Sequence, residues 1–309
     1  MNHAVVIVGD WGTSHLRLML CARDGSVLDR HVGPGAAAAR GAFAAIFDSL
    51  TADWVREHGA MRGVLCGMVG SNFGWSQVPY QSCPATLERI ATGCLALRDG
   101  LVLLTPGLSC RNRLGAPDFL RGEEAQILGA LQIRPSTQQG RHLLCLPGTH
   151  TKWVLLEAGA VQGFHSAPTG EVFEVICHHS VLVADRAEHL PAEDPAAFEQ
   201  ALRTSAQTPA ELLHRLFECR SRRLSGELHE ASAASYLSGL LIASDVDGAL
   251  RLFADADAAP EILLIGMPAL TRGYGTALQA RGRSVGCLDG AEAALAGLLL
   301  IDRLVPTRH

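Results

Sequence analysis

The opening of the chain recurs at its middle. Residues 4–9 (AVVIVG) read as a buried strand, Asp10-Trp11-Gly12-Thr13-Ser14 as a tight polar turn, and 16–21 (LRLMLC) as a second, alternating strand. Arg23-Asp24-Gly25-Ser26 then turns the chain into a third strand at 26–32. The same parts return in the same order at 142–147 (HLLCLP), Gly148-Thr149-His150-Thr151, 152–157 (KWVLLE), Ala158-Gly159 and 160–165. Gly12-Thr13 lies over Gly148-Thr149, 136 residues apart in a chain of 309. Two halves built on one plan follow from this, with RPSTQQG (134–140) as the linker between them.

Around these anchors the hydrophobic pattern predicts helices at 40–58, 84–97 and 121–131, with strands at 62–67 and 101–105 and a long loop after Pro106-Gly107. The second half predicts helices near 169–185, 195–203, 209–219 and 229–251. It continues with a buried strand at 261–265, a helix at 270–281 and a final amphipathic helix at 290–304. The expected class is α/β, with domains at 1–140 and 141–288, and 289–309 a helix packing back across them.

Composition narrows the function. An apolar share of 48% with 18% charged residues supports ordinary globular cores and excludes a disordered or fibrous chain. The charge is 26 basic against 31 acidic, a net of −5 without a basic run, which argues against nucleic acid or an anionic membrane as partner. No apolar stretch reaches the ~18 residues a membrane span needs; the best, 291–301, stops at Asp302. Nine cysteines, an odd number without a CxxC pair, suit reduced thiols in a cytoplasmic protein. VVIV so near residue 1, without a basic head, is expected to be a strand instead of a signal peptide, and no DNA-binding helix-turn-helix is expected ahead of it. Lys152 is the single lysine in the chain. Coding bias toward arginine explains the others; it leaves open why a compact point charge was kept here.

GxxxxGK[ST] is absent, which disfavours a P-loop. Gly33-Pro34-Gly35-Ala36-Ala37-Ala38 matches a dinucleotide fingerprint, but Pro34 removes an amide. The ribose-binding acid, expected ~20 residues on, would fall at Asp53 or Glu57, inside a helix. The two Gly-Thr turns are better phosphate candidates, since glycine admits close backbone approach and the following amides and hydroxyls present donors. Asp10, at the end of its strand, can reach Mg²⁺ directly or through water. Cys177-His178-His179 imitates a metal cluster, yet neighbours on a helix point about 100° apart, so structural histidines are expected.

DWGTSHLRLML (10–20), GMVGSNFGW with VPY (67–80), RGEEAQILGA (121–130), LPGTHTKWV (146–154), PTGEVF with HHS (168–180) and LLIGMPALTRGY (263–274) run from end to end. In that order the chain resembles the 2-dehydro-3-deoxygalactonokinase family, within the actin, Hsp70 and sugar-kinase superfamily. The resemblance implies two ribonuclease-H-like domains around a cleft, using ATP and Mg²⁺ to phosphorylate the 6-hydroxyl of a 2-keto-3-deoxy sugar acid. It implies a first phosphate loop at Asp10, Gly12, Thr13 and Ser14, with Asp10 as the magnesium partner. The second phosphate loop would be Gly148, Thr149, His150 and Lys152, and the adenosine segment would include Gly266, Pro268 and Tyr274.

By analogy with related sugar kinases, Glu123, which follows Gly122, is the expected general base, ahead of Glu124 and Asp118. Ser71, Asn72 and Trp75, after the fourth strand, are expected to meet the sugar. Arg17, Arg121 and Lys152 are the cations available for a carboxylate. Ala125, where a hydroxyl residue is expected, and His15 depart from the family pattern. A related sugar-acid kinase, such as one for 2-keto-3-deoxygluconate, or a phosphatase on the same fold is the alternative, and a homodimer is an open arrangement.

Overall fold

The computed structural model describes residues 5–183, 193–208, 210–254 and 261–306. The first half contains β1 (Val5–Trp11), β2 (His15–Ala22), β3 (Val27–Pro34), α1 (Phe43–His58), β4 (Gly63–Gly67), β5 (Gln81–Ser82), α2 (Leu87–Thr92), β6 (Leu95–Leu97), β7 (Val102–Leu104), β8 (Leu108–Arg111), β9 (Pro117–Leu120) and α3 (Glu123–Ile133). The second contains β10 (Arg141–Leu146), β11 (Thr151–Glu157), β12 (Ala160–Ala167), α4 (Thr169–His179), α5 (Pro195–Gln207), α6 (Leu212–Arg215), α7 (Glu218–Ser225), α8 (Ala233–Leu252), β13 (Ile262–Gly266), α9 (Pro268–Gln279), β14 (Val285–Asp289) and α10 (Gly290–Leu304).

The repeat is real in three dimensions. One sheet runs β3-β2-β1-β4-β7-β6 and the other β12-β11-β10-β13-β14, so each begins with three consecutive strands and then takes a strand from beyond a helix. β1 pairs antiparallel with β2 and parallel with β4, while β10 pairs parallel with β13. This is the ribonuclease-H-like arrangement of actin-type sugar kinases, twice over.

The chain divides into two compact units. The first gathers residues up to Arg141, Leu155–Phe164 and the chain from Leu288 on; the second holds His142–Val154 and His165–Cys287. In the first unit, Trp11, Leu16, Leu18, Phe43, Phe47 and Trp54 build a core beneath the sheet. There α10 lies against α3 at backbone contact: a Cβ on Gly129 would meet the Ala293 carbonyl at 1.7 Å, and one on Gly297 the Ala125 carbonyl at 1.9 Å. Ala125 is fully buried at that crossing, so its small side chain suits the tight packing. In the second unit, Ala201, Cys219, Tyr236, Leu237 and Leu240 anchor a core built around α8.

Several elements differ from the pattern-based expectation. The loop after Gly107 is a hairpin, β8–β9, which joins β5 in a three-stranded sheet. The helix expected at 84–97 stops at Thr92, and Leu95–Leu97 pairs antiparallel with β7. The helix expected at 209–219 is split into α6 and α7, and residue 209 lies outside the described residues. The helix predicted over 169–185 ends at His179, and its last residues, 184–185, also lie outside them. β14 was not anticipated.

Candidate active site

In the first unit, three strand and helix ends converge. Asp10 is the penultimate residue of β1, in register with Arg17 on β2 and Cys66 on β4. Its carboxylate lies 3.7 Å from the Arg17 guanidinium and accepts a long hydrogen bond from the Cys66 thiol at 3.9 Å. Burial pushes the Asp10 pKa up, and Arg17 only partly opposes this. Gly67 (φ +92°) ends β4 because a Cβ there would sit 2.7 Å from the Trp11 carbonyl and 3.2 Å from the Asp10 carboxylate. Gly122 (φ +106°), the N-cap of α3, packs on Gly67, so the two glycines bring the start of α3 to Asp10.

That helix start carries both glutamates, and they differ. Glu123 is partly exposed and accepts a hydrogen bond from the Arg121 amide at 3.0 Å. Glu124 is fully buried; its two oxygens accept from the Thr105 hydroxyl at 2.7 Å and the Gly122 amide at 2.5 Å. Burial raises its pKa to about 7. That perturbed value would single out Glu124, but a base must first reach the proton it takes. A sealed carboxyl with both oxygens occupied is a poor candidate. Asp118 belongs to the β8–β9 hairpin, where its oxygens accept from Phe119 and Asn112.

The first turn, Gly12 to Ser14, is braced from behind. Ala36, Ala37 and Gly35 donate their amides to the carbonyls of Gly12, Thr13 and Ser14. Gly35 is obligatory, since a Cβ would lie 2.2 Å from the Thr13 carbonyl. The GxGxxA match is thus a brace whose amides are spent on carbonyls. Gly12 donates to the His15 carbonyl, and among the described residues no backbone carbonyl takes the amides of Thr13 or Ser14, both exposed. At the departure position, the His15 carbonyl closes this turn by accepting from the Gly12 amide.

After β4, a 3₁₀ turn at Met68–Gly70 leads to Ser71, which is buried, and Asn72, which is exposed. Trp75 leans on Phe47, with the Arg98 guanidinium 5.0 Å over its ring. Those contacts brace the ring, which stays half-buried, within the segment.

In the second unit, the Gly148–His150 turn leaves space at Gly148, with nothing within 4 Å of an added Cβ. Thr149 and His150 are exposed; His150 meets Glu171 at 2.7 Å, and the Thr149 carbonyl accepts from the Glu171 amide. Gly170, in the first turn of α4, could not carry a Cβ without striking the Gly148 carbonyl at 2.5 Å. Lys152 is only 5% exposed, and its ammonium donates to the Ser166 hydroxyl at 2.8 Å.

Beside the turn opens a cavity of about 630 Å³ bounded by Gly148, Thr169-Gly170, the start of α5, α8 and residues 269–276. Its volume suits a nucleoside, and Phe173, Phe198 and Ile242 provide apolar wall. Of the residues predicted for adenosine, Tyr274 borders the cavity, whereas Gly266 and Pro268 fix the strand-to-helix turn that leads to it.

Asp245 was missed by the sequence reading. Its carboxylate accepts from the Trp153 indole (2.8 Å), the Thr169 hydroxyl (2.7 Å) and the Tyr274 hydroxyl (2.5 Å), and Tyr274 also bonds Thr151 (2.7 Å). One carboxylate thus ties β11, α4, α8 and α9 together around the turn, so Tyr274 acts first as a strut. A charged residue inside the apolar run of α8 (SGLLIASDV) was the available signal. Asp245→Ala strands three donors, each costing roughly 1–3 kcal/mol. The expected outcome is a drop in melting temperature and nucleotide affinity weakened about tenfold or more, read by thermal melting and by titration with ATP.

The comparisons agree end to end. The 2-keto-3-deoxy-galactonokinase family matches residues 10–301. The chain is 37% identical over 301 residues to "Probable 2-dehydro-3-deoxygalactonokinase DgoK1" of Rhizobium meliloti, covering 96% of each. It is 34% identical over 299 residues to 2-dehydro-3-deoxygalactonokinase of Escherichia coli, covering 96% of this chain and 97% of that one. A crystal structure of a Sinorhizobium meliloti protein named for the same activity superposes with a TM-score of 0.85 at 36% identity, covering 96% and 98%.

Proposed function

We propose, from the premise that this chain belongs to the 2-keto-3-deoxy-galactonokinase family and is an ATP-dependent kinase, that it phosphorylates the 6-hydroxyl of 2-dehydro-3-deoxy-D-galactonate in the cytoplasm. The observation that supports the site assignment is the Gly67–Gly122 contact, which packs the start of α3, where Glu123 lies, on the end of β4 next to the Asp10 carboxylate. Glu123 accepts the proton of the attacking hydroxyl, held in place by the Arg121 amide. Ser71 and Asn72 orient the acceptor, with Trp75 holding their loop. As phosphate-binding groups the first unit offers Thr13 and Ser14, and the second offers Gly148, Thr149, His150 and Lys152. The cavity bordered by Tyr274 takes the adenosine.

Asp10 suits Mg²⁺. Among the described residues no group of three or more metal-ligating side chains exists, and Mg²⁺ ordinarily takes one or two carboxylates together with waters and substrate phosphates. A cation would also relieve the partly buried Asp10 charge that Arg17, 3.7 Å away, offsets only in part. Bound there with ATP, it would neutralise charge on the transferring group. All nine cysteines are free, which supports a reducing compartment, and no helix among the described residues is long and apolar enough to cross a membrane.

Phosphorus NMR of the product tests the assignment. A phosphate monoester coupled to the two protons of a primary carbon is expected. Free orthophosphate as the only product would mean that water is the acceptor, and a phosphate on a secondary carbon would overturn the position assigned.

A further inference from the structure

We infer that Arg121, together with Ser71, forms the subsite that receives the carboxylate of the acceptor; this rests on the kinase reading above. Arg121 follows β9 and precedes Gly122, so its backbone serves the base while its side chain runs away from it. One guanidinium nitrogen, Nη2, donates to the Val78 carbonyl at 2.7 Å, and the group lies 4.3 Å over the Tyr80 ring. Nη1 occupies room left by Gly70, where a Cβ would approach it to 2.7 Å.

Nε and Nη1 of Arg121 are shielded from water and have no hydrogen-bond partner. Among the described residues four other arginines have such a buried nitrogen, and each pairs with a carboxylate: Arg62 with Asp302, Arg215 with Glu218, Arg222 with Glu227 and Arg223 with Glu230. Among the described residues no carboxylate pairs with the Arg121 guanidinium. Ser71, the residue after Gly70, is 6% exposed, and its hydroxyl is likewise buried without a partner.

A guanidinium with two shielded, unbonded nitrogens beside Gly70 and, on the next residue, a buried hydroxyl without a partner are costly in the free protein. An anion with two acceptor oxygens relieves both, one taken by the guanidinium and one by the hydroxyl. The guanidinium lies where the 67–80 segment folds back on itself, since the Val78 amide donates to the Gly70 carbonyl at 2.9 Å, so one cation faces both ends of the segment assigned to the acceptor.

Steady-state kinetics on the acceptor acid and on its uncharged methyl ester test this. Arg121→Gln should raise KM for the acid roughly 10–100-fold, leave KM for ATP within about twofold, and erase the preference for acid over ester. Ser71→Ala should raise KM for the acid about 3–10-fold and leave the ester unchanged. If Arg121→Gln lacks a cooperative melting transition, Ser71→Ala decides alone. Equal losses on acid and ester, a loss confined to kcat, or unchanged kinetics would overturn the assignment. Failure of the kinase reading is separate, because wild-type protein would then release no ADP in response to the acid.

Discussion

Glu123→Gln is expected to reduce kcat by on the order of 10²–10⁴ while KM for ATP stays near wild type. The amide keeps the shape of the side chain and can still accept from the Arg121 amide. What it loses is the capacity to take the hydroxyl proton. Glu124→Gln should slow turnover far less, because Glu124 faces Thr105 and Gly122 within the protein. Its signature lies in stability. The Glu124 carboxyl titrates near 7 in the folded chain against an ordinary 4.5, so its folded-state pKa is raised. The stability that protonation confers is complete below about 4.5 and is lost as pH rises through about 7. Glu124→Gln should flatten that dependence in thermal melts, which Glu123→Gln should leave in place. Wild-type kcat in Glu123→Gln would remove the base assignment.

Lys152→Met is expected to separate stability from activity. Lys152 is 5% exposed, and among the described residues its ammonium bonds only the neutral Ser166 hydroxyl and makes no ion pair. A buried charge without a counter-charge opposes folding, so an apolar chain of similar length should leave the melting temperature equal or higher. Removing a charge-assisted contact to the triphosphate should weaken ATP binding roughly 10–100-fold. Lys152→Arg should fail to restore it, since a longer planar fork must displace Ser166 or the Gly148-Thr149 turn. A variant that melts lower and binds ATP normally would make Lys152 a structural residue.

The duplicated strand–turn–strand plan was legible because its signals are local: alternating strands, Gly-Thr turns and hairpin residues within about twenty positions. β6, β8, β9 and β14 were not, since three- to five-residue strands are defined by partners far along the chain, as Leu95–Leu97 is by β7. The site divides in the same way. Asp10 and the two turns announce themselves by residue type. Position already ranked Glu123 ahead of Glu124, and the difference in their burial, which adjacency in sequence hides, supports that order. Gly67, Gly122 and Gly35 matter through contacts across 55, 55 and 22 residues or so, and Asp245 through three donors from separate elements. Trp75 carries packing that its sequence position does not announce, against Phe47 and under Arg98.

The most direct test is ADP release with MgATP across a panel of 2-keto-3-deoxygalactonate, 2-keto-3-deoxygluconate and simple aldoses. The account predicts turnover that depends on acceptor, is highest with 2-keto-3-deoxygalactonate and is near background with aldoses. ADP release at the same rate with no acceptor present, or with the aldoses preferred, would contradict it.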